Sequence, residues 1–203
     1  MREEIIFQVL SKLNSGYNTH VKNLTKNSSP FNKMVAPLSQ RIIEQVPGAA
    51  TLYHRLILVT GPPRTGKTTA LRELHANKSW PMVNVNLTLS ERLLELTTRQ
   101  RALKVSGLLE KLAKEHEGDV LLLDNTEVLF SLELQQDPLR LLQGLARNRT
   151  VIAAWAGEYE GTSLTYAEAA HPERRRYSKP DAVIVPTEEV PYAQTQKAKK
   201  ELV

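Results

Sequence analysis

The stretch Gly61-Pro62-Pro63-Arg64-Thr65-Gly66-Lys67-Thr68-Thr69 carries the most legible chemistry in this chain. A glycine, four residues and then Gly-Lys-Thr is the spacing of a loop that wraps a phosphate. A triphosphate tail bears several negative charges and needs donors that approach closely. The backbone N–H groups of such a loop supply them, and the helix that follows aims its positive end at the same point. Gly61 and Gly66 give the backbone freedom and proximity that a Cβ would block. In this arrangement Lys67 reaches the β- and γ-phosphates as a point charge, and the Thr68 hydroxyl ligates Mg²⁺. Residues 61–69 are therefore the expected binding stretch for ATP and Mg²⁺.

Such a site needs an acid from a second strand. Asp119-Val120-Leu121-Leu122-Leu123-Asp124 is an apolar run closed by a carboxylate, as a parallel core strand ending at a ligand crevice would be. Asp124 is the expected partner of the metal, acting through its water shell. Hydrolysis further needs a carboxylate to orient and deprotonate water, and its common place directly after that acid holds Asn125. An amide can orient water but cannot take its proton. Glu127 is the nearest replacement, and Glu158, after the run ending at Trp155, is the other. Arg147 and Arg149 stand where ring-forming ATPases place the arginine that reaches a neighbour's γ-phosphate. The competing reading is that they complement a helix carboxyl end. Arg174-Arg175-Arg176 reads as an exposed charged loop or as a phosphate or nucleic-acid contact.

The loop can work only between a strand and a helix. Arg55–Thr60 is a short β-rich apolar run, and Thr68–Ala76 reads as a helix carrying Leu71 and Leu74. Upstream, Leu38–Val46 reads as an amphipathic helix closed by Pro47-Gly48, and Tyr53 and His54 at the start of the first strand are candidates to border an adenine. Downstream, Pro81–Asn86 alternates as a strand. Helices are expected over Ser90–Thr97, capped by Ser90, and over Val105–Glu115, joined by the basic turn Thr98–Arg101. Asp137-Pro138 reads as the N-cap and first residue of a helix ending at Ala146. Strands follow at Thr150–Trp155 and Asp181–Val185, and the segment from Gly157 to Pro180 is long enough for a lid. Alternating strands and helices imply an α/β fold, three layers around a mostly parallel five-stranded sheet. No C-terminal helical lid domain is expected.

Composition bounds the rest. A chain of 203 residues with 41% hydrophobic and 24% charged residues is long enough for one cored domain with appendages. Residues 1–33 read as an N-terminal extension, an amphipathic helix over 3–13 followed by a polar linker, residues 34–187 as the domain and residues 188–203 as a basic flexible tail. The absence of cysteine excludes disulfides and thiol chemistry and fits a reducing cytoplasm. No run of 18 apolar residues suggests a membrane span. The formal charge of +5 permits an acidic partner such as DNA without demanding one.

Gly61–Thr68 resembles the loop of AAA-type P-loop ATPases, departing from it at Arg64, where that pattern has glycine. A more particular likeness runs from about Met34 to Tyr177. Val83-Asn-Val-Asn-Leu-Thr-Leu-Ser, Leu122-Leu-Asp-Asn-Thr-Glu, Gln136-Asp-Pro-Leu-Arg-Leu-Leu-Gln-Gly, Asn148-Arg-Thr-Val and Thr165-Tyr-Ala-Glu with His171-Pro-Glu resemble BrxF, the small P-loop proteins of type 3 BREX bacteriophage-exclusion systems. The resemblance implies a cytoplasmic bacterial defence component working beside a larger ATPase, a DNA methyltransferase and a helicase. It carries phosphate-site roles to Lys67, Thr68 and Asp124, and no settled reaction. The expectation is an ATP-Mg-binding NTPase, slow unless completed by a neighbour, a homo-oligomer or another BREX component. A non-hydrolysing adapter and a small-molecule phosphotransferase are the alternatives.

Overall fold

The computed structural model of the protein describes residues 36–188. The chain divides into two units, Met1–Val35 and Ala36–Val203. The extension expected at 1–33, and all but the first residue of the expected tail, lie outside the described residues.

Five strands form the main sheet: β1 (Leu56–Gly61), β2 (Met82–Asn84), β3 (Val120–Asp124), β4 (Thr150–Ala156) and β8 (Val183–Pro186). Their order is β2-β3-β4-β1-β8, and every pairing is parallel. Strand residues alternate between the faces, so the sheet has two separate cores. Ile57, Val59, Leu122, Ile152 and Val185 pack on one face with Ile42 of α1 (Leu38–Ala49) and Leu71 and Leu74 of α2 (Lys67–Lys78). Leu58, Leu121, Leu123, Val151 and Trp155 pack on the other, with α3 (Val85–Leu93), α4 (Thr98–Lys114) and α5 (Pro138–Leu145). These are the three layers and the parallel sheet expected from the pattern.

Several local expectations fail. The strand read over 81–86 stops at Asn84, whose side chain accepts from the Leu87 N–H at 3.0 Å and caps α3. That cap outweighs the strand preference of Val85. Consequently the helix expected from Ser90 starts earlier, and Ser90 lies inside it. The basic turn 98–101 is instead the first turn of α4, opened by a reciprocal Thr97–Gln100 capping box. Arg101 in that turn donates to the carbonyls of Leu93 and Leu96, each at 3.0 Å, tying α3 to α4. Pro47 does not stop α1, which runs on to Ala49.

The largest departure is the segment read as long enough for a lid. It folds as a three-stranded antiparallel sheet, β5 (Tyr159–Glu160), β6 (Ser163–Tyr166) and β7 (Arg175–Ser178), in that spatial order. Leu164 is fully buried, Trp155 Nε1 donates to the Thr165 carbonyl at 2.7 Å, and Tyr166 stacks on Phe130 with centroids 3.4 Å apart. Leu164 and Tyr166 anchor β6 in the core, while residues 167–180 are half-buried or exposed. Among the described residues no helix is long and apolar enough to cross a membrane.

Candidate functional site

β1 and β3 are not neighbours, because β4 lies between them. At the usual strand spacing about 10 Å separates their axes. The connection from β1 to β2 must cross β4 and β3, and its helix α2 packs on β1, β2 and β3. Its first turn therefore passes the carboxyl end of β3. There the Thr68 Oγ1 hydroxyl donates to Asp124 Oδ1 at 3.0 Å, joining residues 56 positions apart.

The loop is built to leave its backbone exposed to a ligand. Gly66 caps α2 at φ 89, a left-handed conformation suited to glycine, and a Cβ placed there would meet nothing within 4 Å. Gly61 is required for closeness: a Cβ on it would lie 2.1 Å from the Thr187 hydroxyl and 3.0 Å from that of Thr65. Thr65 Oγ1 in turn donates to the Pro62 carbonyl at 2.8 Å, fixing the loop's curve.

Lys67 and Asp124 are only 8% and 4% exposed, which is rare for charged groups without a role. Lys67 Nζ donates to the carbonyls of Gly61 and Pro62, each at 2.6 Å, and keeps a third proton for a further acceptor. Burial lowers its pKa, and the charges of Glu127 and Asp124 oppose that shift. Burial also raises the Tyr166 phenol to about 12, with Glu173 and Glu127 adding to the rise. Glu127 is exposed, yet its charge is felt by both side chains.

Local backbone explains its position. Asn125 sits at φ 51, a conformation asparagine tolerates, and the chain then winds into a 3₁₀ turn over Thr126–Phe130. Thr126 Oγ1 anchors that turn by donating to the buried Ala154 carbonyl at 2.6 Å. Glu127 lies in the first turn of this segment, just past the carboxyl end of β3. Glu158 is exposed at the same end of the sheet, just past Gly157, which bridges Gly61.

Other expected site residues lie elsewhere. Arg149 precedes β4 at the amino end of the sheet. Its guanidinium donates to the carbonyls of Ala113 at 3.1 Å, His116 at 2.6 Å and Val120 at 3.3 Å. These bonds tie it to carbonyls of its own chain. Arg147 is exposed at that end. His54 bonds Asp181 at 2.6 Å just before β1, with roughly 20 Å of strand between it and the loop, so neither it nor Tyr53 borders an adenine there. Arg174 and Arg176 are exposed on or beside the edge strand β7, where Arg176 Nε donates to Ser163 Oγ at 2.7 Å.

The local pattern gave no sign of Thr187 or Arg41. Thr187 closes over Gly61, and Arg41 of α1 holds it there by donating to the carbonyls of Pro186 at 2.5 Å and Thr187 at 3.4 Å.

Residues 57–154 match the model of the ATPase family associated with various cellular activities, AAA. Over this segment the chain is similar to an AAA-type P-loop domain. A solved structure of C. elegans PCH-2 is similar at 19% identity with a TM-score of 0.36, over 81% of this chain and 45% of that one. The chain thus spans under half the length of that protein. No curated protein matches the sequence. The matched segment has donors suited to a nucleotide and its magnesium. A hydroxyl and a carboxylate, Thr68 and Asp124, are the oxygen ligands a hard cation prefers, and the open backbone at Gly66 admits a phosphate. Among the described residues no cluster of three His, Cys, Asp or Glu could hold a metal by itself.

Proposed function

We propose that the protein binds Mg-ATP in this cradle and hydrolyses it slowly, with a neighbouring subunit completing the site. The loop amides and Lys67 would hold the phosphate tail, while Thr68 and Asp124 would hold the ion. Magnesium held there would supply positive charge that offsets the negative charge of the phosphates. Glu127 would orient the attacking water and accept its proton, the step that Asn125 cannot perform. The observation that carries this reading is the 3.0 Å bond between Thr68 and Asp124, which unites the two halves of a phosphate and metal site.

ATP turnover by the full chain, alone and with DNA or a partner, tests it against Lys67→Ala. Turnover above that blank in any condition is expected, and equality in all of them would overturn hydrolysis. The proposed setting is cytoplasmic bacteriophage exclusion, on the sequence likeness to BrxF, with other BREX components, DNA or further copies of the chain as partners. Arg147 remains a candidate contact to such a neighbour. A second reading, an adapter that binds nucleotide without cleaving it, is favoured by Asn125 in the usual place of the base. Affinity lost in Lys67→Ala without turnover in the wild type would select it.

A further inference from the structure

Arg64 is an anomaly within the loop. Its φ of 67 lies in the left-handed region, where an L-residue is strained and glycine is at ease. Folding alone would favour glycine at this position, and strain of this kind is kept where a side chain has work to do. The side chain is exposed, and among the described residues no hydrogen bond or ion pair engages its guanidinium. Arg149 and Arg101, by contrast, are bound to backbone carbonyls.

The electrostatics of the cradle supply a reason. Its buried ammonium, Lys67, feels two carboxylates, Glu127 and Asp124, so the side chains there are net negative before any ligand arrives. A triphosphate adds more negative charge than a single divalent ion removes. Burying like charge is costly, and a further cation is needed beside the phosphates. Arg64 stands three residues before Lys67, within the loop that surrounds them. A guanidinium suits this task because its planar fork bonds phosphate oxygens in pairs.

We propose that Arg64 is a phosphate-contacting residue, a cation supplied by the chain's own loop that favours nucleoside triphosphate over diphosphate. This rests on the reading of the cradle as a nucleotide site. The deficit is larger for a triphosphate, so losing Arg64 should weaken ATP more than ADP.

Titration of the full chain with Mg-ATP and Mg-ADP tests this, using wild type, Arg64→Gly, Arg64→Lys and Lys67→Ala. Arg64→Gly is expected to weaken ATP about tenfold and ADP less, with Arg64→Lys between it and the wild type. Because glycine suits φ 67, the thermal midpoint without nucleotide should not fall, which separates lost contact from lost fold. Equal effects on ATP and ADP, or none, with Lys67→Ala still impaired, would overturn the role of Arg64 alone. No binding by the wild type would overturn the nucleotide reading and this proposal with it.

Discussion

At the amino end of the sheet Arg149 and His54 find partners within the fold, whereas at the carboxyl end the protein assembles charges that it does not fully match. Arg149 meets three backbone carbonyls and His54 meets Asp181. At the other end Lys67 is buried with one proton to spare, Glu127 is exposed and Arg64 extends from a strained backbone. Both ends hold arginines and acids, so residue type does not distinguish them. A charge matched inside the fold is architecture, and a charge kept at cost without a full match awaits a ligand.

The sharpest way to break this contrast is Glu127→Gln. If Glu127 is the base, ATP turnover should fall by about 10²- to 10⁴-fold with nucleotide affinity retained. Unchanged turnover in a steady-state assay would remove that role and shift attention to Glu158.

Arg149→Met tests the opposite end. Leaving carbonyls without their donor should cost about 2 kcal/mol of stability in denaturant unfolding. Nucleotide affinity of the folded variant should be unchanged. An affinity loss without a stability loss would mean that the two ends are not divided as described.

The smallest expected effect is a pH dependence. Burial lowers the folded-state pKa of Lys67 below its ordinary value of 10.5, so the folded chain releases this proton before the unfolded chain does. Between the two values the unfolded state binds more protons, and stability contributed by this group rises with pH. Relative to Lys67→Met, unfolding free energy should climb as pH approaches 10.5, while affinity for ATP declines as the ammonium is lost. A parallel pH profile for the two proteins would show that Lys67 is not held in a desolvated cradle.

Local signals revealed much of this. The glycine spacing, the apolar run into Asp124 and the Asp137-Pro138 cap depend on neighbours in sequence, and the cap forms as read, with Asp137 accepting from the Arg140 N–H at 3.0 Å. Where two local preferences competed, the pattern misled. Val83 to Val85 alternate like a strand, yet the Asn84 side chain turns the backbone into a helix. The small sheet β5–β7 escaped notice because its strands are two to four residues long and because Tyr166 packs on Phe130, distant in sequence.

The sequence by itself determined that a phosphate loop stands between a strand and a helix, that an acid closes a second buried strand, and that the fold alternates α and β. Those features arise from steric and periodic rules acting over a few residues. Only the tertiary structure decided which charges meet. The crossing of α2 over β4 and β3 puts Thr68 on Asp124, the left-handed turn at Asn125 lifts Glu127 toward Lys67, and the start of β4 holds Arg149 at the far end. Electrostatic contact depends on distance through space, and strand order sets that distance.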